Sequence, residues 1–237
     1  MPAPSTVAIV PAAGSGSRMG GSSPKQFLRV GGVPVLVRTL QALGRSRLIG
    51  GIVVVAQPGA VERTRRLLHR HRVPRVLAVV AGGRERQESV WLGLQAVPAT
   101  TDLVVVHDGV RPFITGTLVR DVVRAAERFG AAVCGIPVRE TVKRHREGFV
   151  QATVDRDGLW LVQTPQAFRR TLLWEAHEKA RGEGFLGTDD AVLVERLGVP
   201  VRMVPGFAEN LKITTREDWV RAKVLVTGRA PTGGGRR

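Results

Sequence analysis

Five short apolar runs rich in Val and Ile, at residues 7–12, 52–56, 76–80, 103–106 and 131–136, constrain this chain more than any other feature. Each is the length of a strand. Between them lie stretches with a helical spacing of apolar residues, at 34–43, 60–69, 86–97 and 116–129. Pro34 stands at the first turn of one of these, and Gly44 and Gly130 are placed to stop two of them. Strands that alternate with helices pair in parallel through right-handed crossovers. The order therefore predicts an α/β fold with a single doubly wound, mostly parallel sheet. With 237 residues, 43% of them hydrophobic, the chain can bury a substantial core, and we expect residues 1–227 to form one domain.

The rhythm breaks after Pro137. Two short extended segments, 140–143 and 149–153, flank a polar stretch and predict a β-hairpin arm, residues 139–161, that projects from the domain. Helices are expected again at 170–181 and 189–197, with a strand at 201–204. The last helix should start near Thr214, where Glu217 is placed to complete a capping box. Residues 228–237, dominated by Gly, Pro and Arg, read as a disordered tail.

The apolar runs fall far short of the roughly 20 residues of a membrane span, so no membrane partner is expected. No secretory signal is recognisable ahead of residue 7, and the single Cys134 has no partner for an internal disulfide. The expected location is cytoplasmic. A net charge of +16 would by itself suggest a polyanion partner. However, the 36 basic residues, of which 5 are Lys, are scattered along the chain, and there is no Tyr and little aromatic surface on which bases could stack. We expect no nucleic-acid partner; a basic binding module for RNA or DNA is the alternative from a different class.

The first run ends in Ala12-Ala13-Gly14-Ser15-Gly16-Ser17-Arg18-Met19-Gly20, followed by Pro24-Lys25-Gln26. A loop of Gly and small residues at the carboxyl end of a parallel strand lets backbone N–H groups approach a polyphosphate. It is not a P-loop, because Lys25 is preceded by Pro24 and followed by Gln26. It is not a dinucleotide fingerprint either. The glycines at 14, 16 and 20 are spaced one residue too widely, and Ala56-Gln57-Pro58 offers no acidic residue after the second strand. This argues against an NAD-type oxidoreductase. What remains is a glycine loop followed by two cations, Arg18 and Lys25, which resembles the nucleotidyltransferases of the sugar-nucleotide pyrophosphorylase type.

Further segments sharpen the resemblance. Gly82-Gly83-Arg84-Glu85-Arg86-Gln87-Glu88-Ser89 follows the third strand, and His107-Asp108-Gly109-Val110-Arg111-Pro112 follows the fourth. Then come Glu140-Thr141, Thr153-Val154-Asp155-Arg156-Asp157-Gly158, Gln163-Thr164-Pro165-Gln166, Thr188-Asp189-Asp190 and Asn210-Leu211-Lys212. Taken in this order, the segments resemble the 2-C-methyl-D-erythritol 4-phosphate cytidylyltransferases of the non-mevalonate isoprenoid pathway. The match departs from the family's usual Asp at Ala81 and Glu209. Ribitol 5-phosphate cytidylyltransferases are the nearest alternative, but they more often have Ala-Gly-Gly at 12–14 and lack the 153–160 pattern.

The resemblance implies a Rossmann-like nucleotidyltransferase fold and the transfer of CMP from CTP to a sugar-alcohol phosphate, with Arg18, Lys25 and Lys212 catalytic. It implies that Ala13, Gly14, Gly16, Gly82, Gly83, Ser89 and Asp108 bind CTP, and that Asp108, Arg111, Thr141, Arg156 and Lys212 serve the acceptor. Asp108 at the carboxyl end of a central strand suits a Mg²⁺ ligand, with Glu209 as a candidate second carboxylate. Arg111 either orients the acceptor or pairs with Asp108 structurally, and Lys212 is either an acceptor contact or a surface lysine. No general base is needed, because the acceptor phosphate is already ionised near neutral pH; His107 is expected to be structural. In the family the arm embraces a second subunit, which implies a homodimer whose Thr141 and Arg156 enter the neighbour's acceptor site.

Overall fold

A computed structural model describes residues 5–14 and 24–228. Strand β1 (Thr6–Ala12) leads into a short 3-10 turn at Lys25–Phe27 and a small hairpin of β2 (Arg29–Val30) and β3 (Val33–Pro34). Then follow α1 (Val35–Gly44), β4 (Gly51–Ala56), α2 (Val61–Arg70), β5 (Val76–Ala81), α3 (Arg86–Gln95), β6 (Leu103–Val106), α4 (Gly116–Phe129) and β7 (Ala131–Pro137). The second half contains β8 (Val142–Arg146), β9 (Phe149–Val154), β10 (Trp160–Arg169), α5 (Arg170–Gly182), α6 (Ala191–Glu195), β11 (Arg202–Pro205) and α7 (Arg216–Thr227).

Seven strands form one sheet in the order β11-β7-β10-β6-β1-β4-β5. Six point the same way. Only β10 runs antiparallel to both of its neighbours, β6 and β7. The expected α/β architecture with a mostly parallel sheet is present. From β1 the chain steps outward to β4 and β5, then returns to place β6 on the other side of β1. That reversal opens a crevice beyond the carboxyl ends of β1 and β6, where open α/β sheets bind ligands.

Alternation along β1 supplies both faces of the sheet. Ala8, Val10 and Ala12 pack with Leu36, Leu40 and Leu43 of α1, and with Leu118, Val119 and Val122 of α4. Val7 and Ile9 face Val90, Trp91 and Leu94 of α3, and Leu173 and Ala176 of α5. Each leucine fully buried in these layers contributes roughly 2 kcal/mol of apolar transfer. Gly93 lets α3 lie close on the sheet: a Cβ there would come within 2.6 Å of Ile9 Cγ2 and 2.8 Å of Val55 Cγ2. A third cluster, with Val30, Val35, Val110, Phe113, Ile213 and Ala222, seats α7 beneath the loop that follows β6.

Three expectations need correction. The hairpin is present, but its first strand is Val142–Arg146, which starts two residues and ends three residues later than 140–143, because the turn is made tightly at Glu147 and Gly148. Trp160 and Leu161, assigned to the arm, already pair with Pro137 and Ile136 in the main sheet as the start of β10. The capping box of α7 is closed by Asp218, not Glu217, since Thr215 is the N-cap and counts three residues to Asp218. The tail expected at 228–237 lies outside the described residues beyond Gly228.

Candidate active site

A cleft of about 400 Å³ opens beyond β1, β5 and β6, lined by Ala13, Gly14, Lys25, Gly83, Arg86, Ser89, Asp108 and Lys212, among others. A second lobe of about 290 Å³ adjoins it, lined by Arg111, Gln163, Thr164, Gln166, Thr188 and Asp189. Arg86, Asp108 and Lys212 line both lobes. The two spaces meet over these three side chains.

The first lobe is built from backbone and small residues. Gln26 is buried and its amide donates to Ala12 O at 2.9 Å, which ties the segment carrying Lys25 back to the end of β1. Ser89, in the second turn of α3, accepts from Gly83 N–H at 3.2 Å. Gly82 is required for this fit, because a Cβ there would meet Ala13 Cβ and Ser89 Oγ at 2.7 Å each.

The junction is electrostatic. Asp108 is buried, and its Oδ2 lies 3.1 Å from Lys212 Nζ and 3.2 Å from Arg111 Nε, while Oδ1 lies 3.6 Å from Arg86 Nε. Burial alone would raise the Asp108 pKa, but the charges of Lys212, Arg86 and Arg111 outweigh it and hold the carboxylate well below its ordinary range. Arg86 is stabilised as a cation in the same way. Burial opposes its charge, while Asp190, at 2.7 Å, and Asp108 together raise its pKa.

Hydrogen bonds fix the loop that carries Asp108. Arg111 O can only accept, so His107 Nε2–H donates to it at 3.1 Å. His107 Nδ1 then accepts from the Thr164 hydroxyl at 3.1 Å, and Thr164 Oγ1 accepts from Asp108 N–H at 3.0 Å. Burial lowers the His107 pKa to about 4, so the ring is neutral at physiological pH and serves as a brace. Buried Asn210 completes the frame, donating to Gln163 Oε1 at 3.1 Å and Thr164 O at 2.9 Å, while Arg111 donates to Asn210 O at 2.8 Å.

Residues 6–228 match the family described as 2-C-methyl-D-erythritol 4-phosphate cytidylyltransferase. The chain belongs to this family. The cytidylyltransferase of that name from Syntrophus aciditrophicus is 46% identical over 225 residues, covering 94% of this chain and 96% of the relative. The one from Geobacillus kaustophilus is 47% identical, covering 94% and 97%. Among solved structures, the cytidylyltransferase of Thermus thermophilus aligns with a TM-score of 0.78 at 38% identity, covering 92% of this chain and 98% of that one. The 4-diphosphocytidyl-2C-methyl-D-erythritol synthase of Anaerococcus prevotii aligns with a TM-score of 0.83 at 32% identity, covering 95% and 97%.

Of the residues singled out in sequence, this cytidylyltransferase brings Ala13, Gly14, Lys25, Gly83, Ser89, Asp108, Arg111 and Lys212 to the two lobes, with buried Gly82 behind them. Gly16 and Arg18 lie outside the described residues. Thr141 and Arg156 are exposed on the arm and line neither lobe of their own chain. Glu209, expected as a second metal carboxylate, is exposed and lines neither lobe, because the adjacent Asn210 takes the inward position. Among the described residues no three His, Cys, Asp or Glu side chains converge as a metal site, and Asp108 already faces three cations. Of the two expected metal carboxylates, Asp108 alone lines the lobes. Arg86, Gln163 and Thr164 also line the lobes, although the motifs that contain them do not mark them out. An arginine in the first turn of a helix that follows a strand was the available signal for Arg86.

Proposed function

We propose that this enzyme transfers CMP from CTP to 2-C-methyl-D-erythritol 4-phosphate, with CTP in the glycine-loop lobe and the acceptor in the lobe of Arg111 and Thr164. The observation that carries this reading is the shared wall of Arg86, Asp108 and Lys212, which puts cations where two anionic substrates must meet. An acceptor phosphate oxygen attacks the α-phosphorus of CTP in line. The new O–P bond forms as the bond from the α-phosphorus to the bridging oxygen breaks, and pyrophosphate leaves with that electron pair.

In this reading Lys25 and Arg18 offset charge on the triphosphate, and Lys212 meets the acceptor phosphate, held in place by Asp108. Backbone groups at Gly82 and Gly83, set by Ser89, read the cytosine edge, and the narrow wall excludes a purine. Mg²⁺ enters as the counter-ion of CTP, and Asp108 is the carboxylate of the cleft that would face it.

The same reading makes the enzyme a homodimer. Among the described residues, strands β8 and β9 pair only with each other, and such an isolated hairpin is marginal in water. The arm and its root expose Phe149, Val150, Leu159 and Leu161, an apolar surface suited to a partner subunit. Thr141 and Arg156 then complete the acceptor lobe of the neighbour. Residues 1–227 form the working unit, including the arm. Among the described residues no helix is long and apolar enough to cross a membrane, and we place the enzyme in the cytoplasm with its CTP supply. Pyrophosphate release from Mg·CTP, with 2-C-methyl-D-erythritol 4-phosphate and ribitol 5-phosphate offered separately, tests the assignment. Turnover with the first acceptor is expected, and turnover only with the second would overturn it.

A further inference from the structure

Behind Arg86 a buried ladder of charge reaches back to α5. Arg86 Nη2 lies 2.7 Å from Asp190 Oδ2, and Asp190 Oδ1 faces His177 Nε2 at 3.5 Å. Asp190 and His177 are both fully buried. Among the described residues, neither ring nitrogen of His177 makes a hydrogen bond of ordinary length, and neither does Asp190 Oδ1. Polar atoms left alone in an apolar interior are costly, so a donor and an acceptor facing each other at this distance have a strong drive to pair. The ring is also aligned. It stacks on Trp91 with centroids 6.0 Å apart and planes 27° from parallel, and Trp91 is held by Trp174 at 4.6 Å and by the Arg181 guanidinium at 4.8 Å.

The other contacts of this corner fix the main chain and leave the carboxylate torsion free. Asp190 N–H donates to Gln166 Oε1 at 3.3 Å, and the Gln166 amide donates to Asp189 Oδ2 at 2.7 Å. The rotation of the Asp190 carboxylate is set by what faces its two oxygens, Arg86 on one side and His177 on the other. We propose that His177 is a positioning residue for CMP transfer: its Nε2–H donates to Asp190 Oδ1 and so fixes the carboxylate that holds Arg86 at the junction of the two lobes. The proposal rests on the cytidylyltransferase reading of that cleft.

His177→Leu fills the space without a donor, whereas His177→Gln places an amide nitrogen near the position of Nε2. The Leu variant should lower kcat/KM for CTP by about tenfold, the scale of one lost hydrogen bond to a charged group, and the Gln variant should stay within about threefold. In an Arg86→Ala background, His177→Leu should change nothing further, because its effect runs through Arg86. An equal loss in both backgrounds, or full activity of the Leu variant, would overturn the proposal. If circular dichroism shows the Leu variant unfolded, His177→Asn replaces it, since its shorter amide reaches only to the position of Nδ1. An impaired Asn variant beside an active Gln variant supports the role, and equal activities overturn it. Wild type is assayed alongside with both acceptors. Absence of turnover there counts against the cytidylyltransferase reading alone, and the same variants are then compared by calorimetric CTP affinity with the same expected order.

Discussion

Replacing Asp108 by Asn removes one negative charge from among three cations without changing shape, and its cost follows from which cation is left uncompensated. Arg86 keeps Asp190 at 2.7 Å, so its loss is small. The side chain of Lys212 is 37% exposed and recovers hydration. Arg111 bears most of the loss. Its side chain is 10% exposed, and once the Asp108 charge is gone it faces the neutral carbonyl of Asn210. Removing one partner from a buried pair costs about 3–5 kcal/mol, and the amide oxygen of Asn still accepts from Nε, which puts the expected loss near the lower end, about 3 kcal/mol. For a chain of this size that lowers Tm by about 6–12 °C. Calorimetric unfolding near neutral pH measures it, and combining Asp108→Asn with Arg111→Met should return part of the loss by removing the stranded charge. A variant melting within about 2 °C of wild type would refute the view that Asp108 neutralises Arg111.

The other expectations concern the two lobes, the dimer and acid. Lys25→Ala and Arg156→Ala should each be nearly inactive alone, but refolding them together should restore about one quarter of wild-type pyrophosphate release, since half the dimers are mixed and each has one intact site of two; no recovery in a verified mixed dimer would refute the shared site. Gly82→Ala places a methyl against Ala13 and Ser89, and steady-state kinetics should show KM for CTP raised by about tenfold or more with the fold retained; an unchanged KM would remove this wall from the base pocket. Because burial depresses the folded pKa of His107 to about 4, below its unfolded value near 6.5, the unfolded chain binds the extra proton in between. Stability from this group is complete above about pH 6.5 and is lost as pH falls toward 4, so denaturant midpoints should drop across that window, and less so in His107→Gln; a flat profile from about pH 7 to 4.5 would contradict the buried neutral ring.

The parallel half of the fold was legible because each of its strands is a short β-branched run bounded by a turn, and burial on both faces demands that composition. Strand β10 was hidden by its own chemistry. Gln163, Thr164 and Gln166 interrupt the apolar pattern, and Pro165, which lacks a backbone donor, falls where the register shifts between Gln163 and Gln166. Those same polar residues line the second lobe, so the features that serve the site concealed the strand. Asp108 is legible because it follows a strand directly, Lys25 because it comes shortly after a glycine loop, and Lys212 only through the Asn210-Leu211-Lys212 segment. Arg86 and His177 are not legible in this way. An arginine in a first helical turn and a histidine in mid-helix look like surface residues until tertiary folding brings Asp190, 104 residues beyond Arg86, between them.

The reversed strand also sets an order for folding. Its neighbours β6 and β7 both precede it in the chain, yet they are not hydrogen-bonded to each other and end two strand spacings apart, roughly 10 Å, with β10 between them. Among the described residues β7 pairs with β10 and β11, which both follow it, so it has no ladder partner until β10 docks. Until then the free edge of β6 is a row of unsatisfied peptide groups with which any extended segment of suitable length can pair. Docking of Trp160–Arg169 is therefore the step that closes this sheet against mispairing.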